Sequence, residues 1–134
     1  MTTESTSGTG EDRLRALTIP AEYLETHGGL KIFCAGTKTT ATGDKTIKLH
    51  FGASSWTVVA AANTVTDWRL EATIVNTAYN AQRVSWTSWS GVTIAQGYEL
   101  LGIDTSSAVI LQVTGECAEA ADTISSTMWT VERF

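Results

Sequence analysis

The run over residues 67–75, D-W-R-L-E-A-T-I-V, alternates without a break, with Trp68, Leu70, Ala72 and Ile74 on one side and Asp67, Arg69, Glu71 and Thr73 on the other. A period of two is that of a pleated strand, so the apolar set shares one face and the charged set the opposite one. The run over residues 45–54, K-T-I-K-L-H-F-G-A-S, repeats the pattern: Ile47, Leu49 and Phe51 alternate with Thr46, Lys48 and His50, and Gly52 closes it. Two half-buried strands of this kind, joined by a short polar connection, describe an antiparallel β-sandwich or barrel.

The remaining chain supplies partners for them. Further strands are expected over residues 13–19, stopped by the lone proline Pro20, and over 30–35, 56–60, 108–114 and 123–134. Residues 82–89 pair back on the 67–75 strand through the asparagine-rich turn N-T-A-Y-N-A, whose composition suits αL and Asx-turn geometry. In 91–104 the scattered Val92, Ile94, Leu100, Leu101 and Ile103 indicate one or two more short strands. Residues 21–26 have room for one helical turn before the His27-Gly28-Gly29 breaker; 36–44 and 61–66 are expected as connections, and 115–122 as a turn. About eight short strands with turn signals at regular intervals mark a sandwich or jelly roll. The expected fold is therefore all-β, a single-domain antiparallel β-sandwich or jelly roll over residues 13–134. Residues 1–12, rich in Thr, Ser and Gly and without apolar periodicity, are expected as a flexible N-terminal arm, inert or ordered by a partner.

A chain of 134 residues is long enough for one domain with a real core. Its net charge of −5, with nine Lys and Arg spread thinly, disfavours nucleic acid as a partner, because phosphate binding needs clustered cations. No apolar run approaches the ~20 residues that span a bilayer. The first residues carry neither a basic nor an apolar leader segment, so synthesis and folding in a cytoplasm are expected. Cys34 and Cys117 form no CxxC pair and are expected as small buried thiols. His27 and His50 lack further ligands at zinc-site spacing, so no metal and no cofactor are expected. The carboxylates fall mainly in turns or on solvent faces and make no tuned acid–base pair, so no catalytic residue is expected and the chain is not expected to be an enzyme.

Function is then expected on a surface. Trp68 belongs to the apolar face of the clearest strand, and Trp56 and Trp129 are expected in the core as well. Trp86 and Trp89, in S-W-T-S-W-S, are three positions apart, which in a strand sends them to opposite faces. One of them is expected to be exposed, or buried only against another chain or a sugar ring. Arg69 and Glu71, with Arg83 across the hairpin, are placed for cross-strand charge pairs or a subunit contact. Tyr79 puts an aromatic ring at the hairpin tip, a candidate contact.

Taken in order, K-T-I-K-L-H-F-G-A-S (45–54), W-R-L-E-A-T-I-V-N-T (68–77) with Gln82 and Arg83 after the turn, V-I-L-Q-V-T-G-E (109–116) and the opening T-I-P-A-E-Y-L (18–24) resemble small β-sandwich virion surface proteins of tailed bacteriophages. That group comprises capsid-decoration or head-fibre proteins and tail-fibre terminal domains. The resemblance implies a non-enzymatic virion structural protein, commonly a homotrimer. A short chain with only a dozen residues before its first strand fits a capsid-decoration (cement) protein binding across major-capsid subunits. The alternative is a receptor-binding domain of a tail or head fibre recognising a host surface glycan through Trp86, Trp89 and Tyr79.

Overall fold

The structure, a computed structural model, describes residues 4–39, 43–61 and 66–134. Residues 1–3 of the expected arm, 40–42 of one expected loop and 62–65 of an expected connection lie outside the described residues. Among those described there are ten strands: β1 (Glu4–Ser5), β2 (Asp12–Ile19), β3 (Gly29–Lys38), β4 (Lys45–Phe51), β5 (Ser54–Ala61), β6 (Asp67–Ala78), β7 (Ala81–Ser90), β8 (Thr93–Leu101), β9 (Val109–Cys117) and β10 (Ile124–Arg133). Every pairing is antiparallel. They form a six-stranded sheet, β1-β10-β3-β6-β7-β8, and a four-stranded sheet, β2-β9-β4-β5. The chain is an all-β, jelly-roll-like antiparallel sandwich. Among the described residues there is no helix long and apolar enough to cross a membrane.

The alternating runs do what their period requires. Trp68, Leu70, Ala72 and Ile74 of β6 face Ile47, Leu49 and Phe51 of β4 and Leu111 and Val113 of β9 across the core, all at most 5% exposed. The Trp68 indole also ties strands together, its Nε1–H donating to the carbonyls of Thr37 at 3.2 Å and Ser125 at 3.0 Å. Cys34 and Cys117 are free thiols in this core, and burial pushes Cys34 up to about 11, which keeps it protonated and inert.

Two expectations need correction. Residues 21–26 form no helical turn; they make a series of tight turns with Glu22 and Glu25 at positive φ (62° and 53°), so the backbone reverses instead of coiling. Nor are residues 4–12 a free arm. Glu4–Ser5 pairs with Ser125–Ser126 at the edge of the larger sheet, and Thr6 is 6% exposed. Thr6 exchanges two bonds with Ile124: its N–H donates to the Ile124 carbonyl at 2.9 Å, and its Oγ1 accepts from the Ile124 N–H at 3.0 Å. Its hydroxyl also lies 3.5 Å from Cys117 Sγ, so the side chain plugs the gap between the two sheets.

Glu11 fixes the far end of this segment on the outer face of the smaller sheet. Its Oε2 lies 2.8 Å from His50 Nε2 and accepts from Thr114 Oγ1 at 2.5 Å. The Thr114 bond above all, opposed by partial desolvation and aided by His50, holds the Glu11 carboxyl below the usual carboxylate range. A depressed carboxyl stabilises the fold above its unfolded pKa, and that contribution vanishes as pH falls through the folded value. Glu11→Gln is therefore expected to lower stability by about 1 kcal/mol at neutral pH, the two melting temperatures converging as pH drops below about 4. A gap that persists unchanged into acid would assign the effect to packing.

Candidate functional site

The outer face of the six-stranded sheet gathers most of the side chains expected to make contacts. Register sets them in rows across the strands. One row runs Glu132–Lys31–Thr73–Ser85–Tyr98, the next Thr130–Phe33–Glu71–Thr87–Gln96, and the third Met128–Ala35–Arg69–Trp89–Ile94. Between the side chains of the first two rows lies an open groove of about 530 Å³, floored by Ala72 and Ile32 and flanked by Lys31, Glu71 and Glu132. A second hollow of about 540 Å³ adjoins it, sharing Phe33 and bordered by Arg69, Trp89 and Met128. Together they make one shallow channel across β10, β3, β6 and β7.

Arg69 and Trp89, directly opposed on β6 and β7, stack with the guanidinium 4.0 Å from the ring centroid. This is a cation–π contact, and it fixes both side chains flat on the sheet. Arg83 reaches Tyr98 on β8 instead, its Nη1–H donating to the phenol oxygen at 3.3 Å. The expected cross-strand charge pairs among Arg69, Glu71 and Arg83 do not form. The register explains why: Glu71 lies opposite Thr87 and Phe33, and Arg83 opposite Val75 and Leu100, so neither meets an opposite charge.

The two tryptophans do part to opposite faces. Trp89 is outward, whereas Trp86 turns inward among Val84, Ser88 and Ser90, packs against the core and lies across Gly97 of β8. A β-carbon at Gly97 would stand 2.5 Å from the indole, so glycine is what lets the ring lie flat there. Tyr79 is not part of the channel. It sits at the β6–β7 turn, about eight strand residues or ~26 Å from the level of Trp89, and its carbonyl accepts from Thr105 N–H at 2.7 Å and Thr105 Oγ1 at 2.9 Å. That turn belongs to a buried polar knot in which the Asn76 amide donates to Thr105 Oγ1 (2.7 Å) and to the Glu25 carbonyl (2.8 Å), while Gln82 brackets Ile103. Trp86, Trp89 and Tyr79 therefore do not converge on one ligand.

Sequence reasoning did not single out Lys31, Phe33, Thr130, Glu132 and Tyr98. The signal was available on β3, where Lys31 and Phe33 alternate with the buried Leu30, Ile32 and Cys34. Among the described residues no group of three or more His, Cys, Asp and Glu is placed to hold a metal.

The fold and this face define an antiparallel β-sandwich that presents one broad, open sheet surface. No family model and no curated protein matches the chain. Among solved structures it is similar to an alginate lyase from Alteromonas sp. 272, with a TM-score of 0.42 and 11% identity, over 81% of this chain and 73% of that one. A likeness at this level bears on neither activity nor partner.

Proposed function

We propose that the chain is a non-enzymatic structural protein of a phage virion, of the capsid-decoration kind, which binds across neighbouring major-capsid subunits and stabilises the shell. The supporting observation is the outer face of the larger sheet. Its side chains are held in rows by five paired strands, and its channel is long and open, which suits a protein surface laid across it better than a small enclosed substrate. Binding energy from such a face adds to the lattice by mass action, since only the assembled shell offers the complementary surface. Because residues 4–12 are docked on their own sandwich, the capsid contact is assigned to Arg69, Glu71 and Trp89 with Phe33 and Lys31, and not to an arm. Self-association, with the homotrimer that the resemblance implies, belongs to the same proposal, as does location on the virion after synthesis in the host cytoplasm.

Antibody labelling of intact virions by electron microscopy tests this: label spread over the head is expected. In a capsid-binding assay Arg69→Ala/Trp89→Ala is expected to weaken attachment by about 10–100-fold, as central interface residues do. Unchanged attachment would move the contact off this face.

A second reading is supported by Phe33 and Trp89 bordering one hollow. Aromatic rings beside a guanidinium fit a sugar chain, as in a receptor-binding domain of a fibre recognising a host surface glycan. Label confined to fibre tips, with host-cell binding lost in Trp89→Ala, would favour this reading over the first.

A further inference from the structure

We propose that β8 is a self-association edge, along which two copies of this chain pair their β8 strands antiparallel about a two-fold axis at Gly97. This does not rest on the virion role.

The sandwich has four sheet edges, and three are blunted. β1 is two residues long and leaves β10 as the edge beyond Ser126, where β10 has a register shift between Ser126 and Met128 and carries Glu132 and Arg133. β2 carries a bulge between Arg13 and Arg15, and the β4–β5 pairing is broken by a bulge between Ile47 and Lys48. Short edges, bulges and charges of this kind deter pairing with other chains. β8 has none of these protections. It is nine residues long, T-I-A-Q-G-Y-E-L-L, pairs with β7 without a register shift, and carries Glu99 as its single charge. It ends the six-stranded sheet, so alternate N–H and C=O groups point away from β7, and no described strand takes them up. Its outer face is apolar and open: Ile94 is 60% exposed, Tyr98 55% and Leu100 70%.

The occupant that fits is a second β8. Gly97 is the midpoint of the strand, so antiparallel pairing about it is the register that engages all nine residues. Outward side chains then meet as Ile94 with Leu100 and Gln96 with Tyr98, each contact made twice by symmetry. Inward, Glu99 meets Ala95 and never the other Glu99. A parallel, in-register pair would instead set the two carboxylates side by side. The Trp86 indole, which lies across the inner face of Gly97 from β7, is carried to the two-fold axis, where its copy approaches from the other strand. The two larger sheets become one continuous sheet. The trimer implied by the resemblance needs a different contact, because a strand cannot pair with its own copy about a three-fold axis.

Sedimentation velocity across a concentration series tests this on the full chain and two variants. Ile94 and Leu100 are exposed, so replacing them leaves the core intact. In Ile94→Lys/Leu100→Lys the register brings introduced lysines together twice, and loss of the dimer is expected. In Ile94→Lys/Leu100→Glu each introduced lysine meets an introduced glutamate of the other copy, and the dimer is expected to persist. The proposal is overturned by a monomeric wild type at all concentrations, by a trimer indifferent to both variants, or by loss of the dimer in both alike.

Discussion

Asp122→Ala is expected to cost about 3–5 kcal/mol and to lower the melting temperature by roughly 10–20 °C, readable by calorimetry. Asp122 and Lys45 form an ion pair at 3.3 Å with side chains 0% and 1% exposed. Around it, Lys45 Nζ donates to the Gly43 carbonyl at 3.0 Å, and Thr39 Oγ1 donates to Asp122 Oδ1 at 3.0 Å. Lys38 lies in the same end of the sandwich, donating to Ser90 Oγ at 2.6 Å, and burial followed by the charge of Lys45 lowers its pKa. Two buried ammonium groups thus share a region with one buried carboxylate. Removing that carboxylate takes away the counter-charge 3.3 Å from Lys45 in a medium that screens charge poorly. The double replacement Lys45→Met/Asp122→Leu removes a positive and a negative charge together and is expected to cost much less than Asp122→Ala alone. A double variant as unstable as the single one would show that the shape of the site, and not its charge, sets the cost.

How far the sequence reveals this molecule depends on where each strand finds its partners. Strands β4, β6 and β9 each bury one face, so Ile47, Leu49 and Phe51, then Trp68 to Ile74, then Val109, Leu111 and Val113 print a period of two. The split of Trp86 from Trp89 follows from the same period. β8 prints no clean alternation because it overhangs the sandwich and its two faces are both largely exposed, so no selection for burial shapes it. The candidate face is legible only in part. Arg69, Glu71 and Trp89 stand out on their own strands, but their neighbours Phe33 and Thr130 are set by pairings between distant segments. The failure of Arg69, Glu71 and Arg83 to pair also follows from register, which the local pattern does not encode.

The N-terminal segment is the extreme case, and it carries the last prediction. T-E-S-T-S-G-T-G has no apolar period, and taken alone it is too polar to order. What orders it lies 118 positions away, where the Ile124 N–H, on a residue 0% exposed, takes Thr6 Oγ1 as its acceptor. Thr6→Val keeps the volume and deletes the acceptor, leaving a buried donor unsatisfied, and is expected to cost about 1–3 kcal/mol. Deleting residues 1–11 is expected to cost more, about 3–4 kcal/mol, since it also strips the cover from Ile124 and Cys117 and removes the Glu11 bonds to Thr114 and His50. Chemical denaturation of the three proteins gives the ordering. An arm that waits for a capsid would leave the unbound protein's midpoint where it was when removed. A plug between two sheets lowers it, and any loss of capsid attachment in the truncated protein then has to be read after correcting for the fraction unfolded.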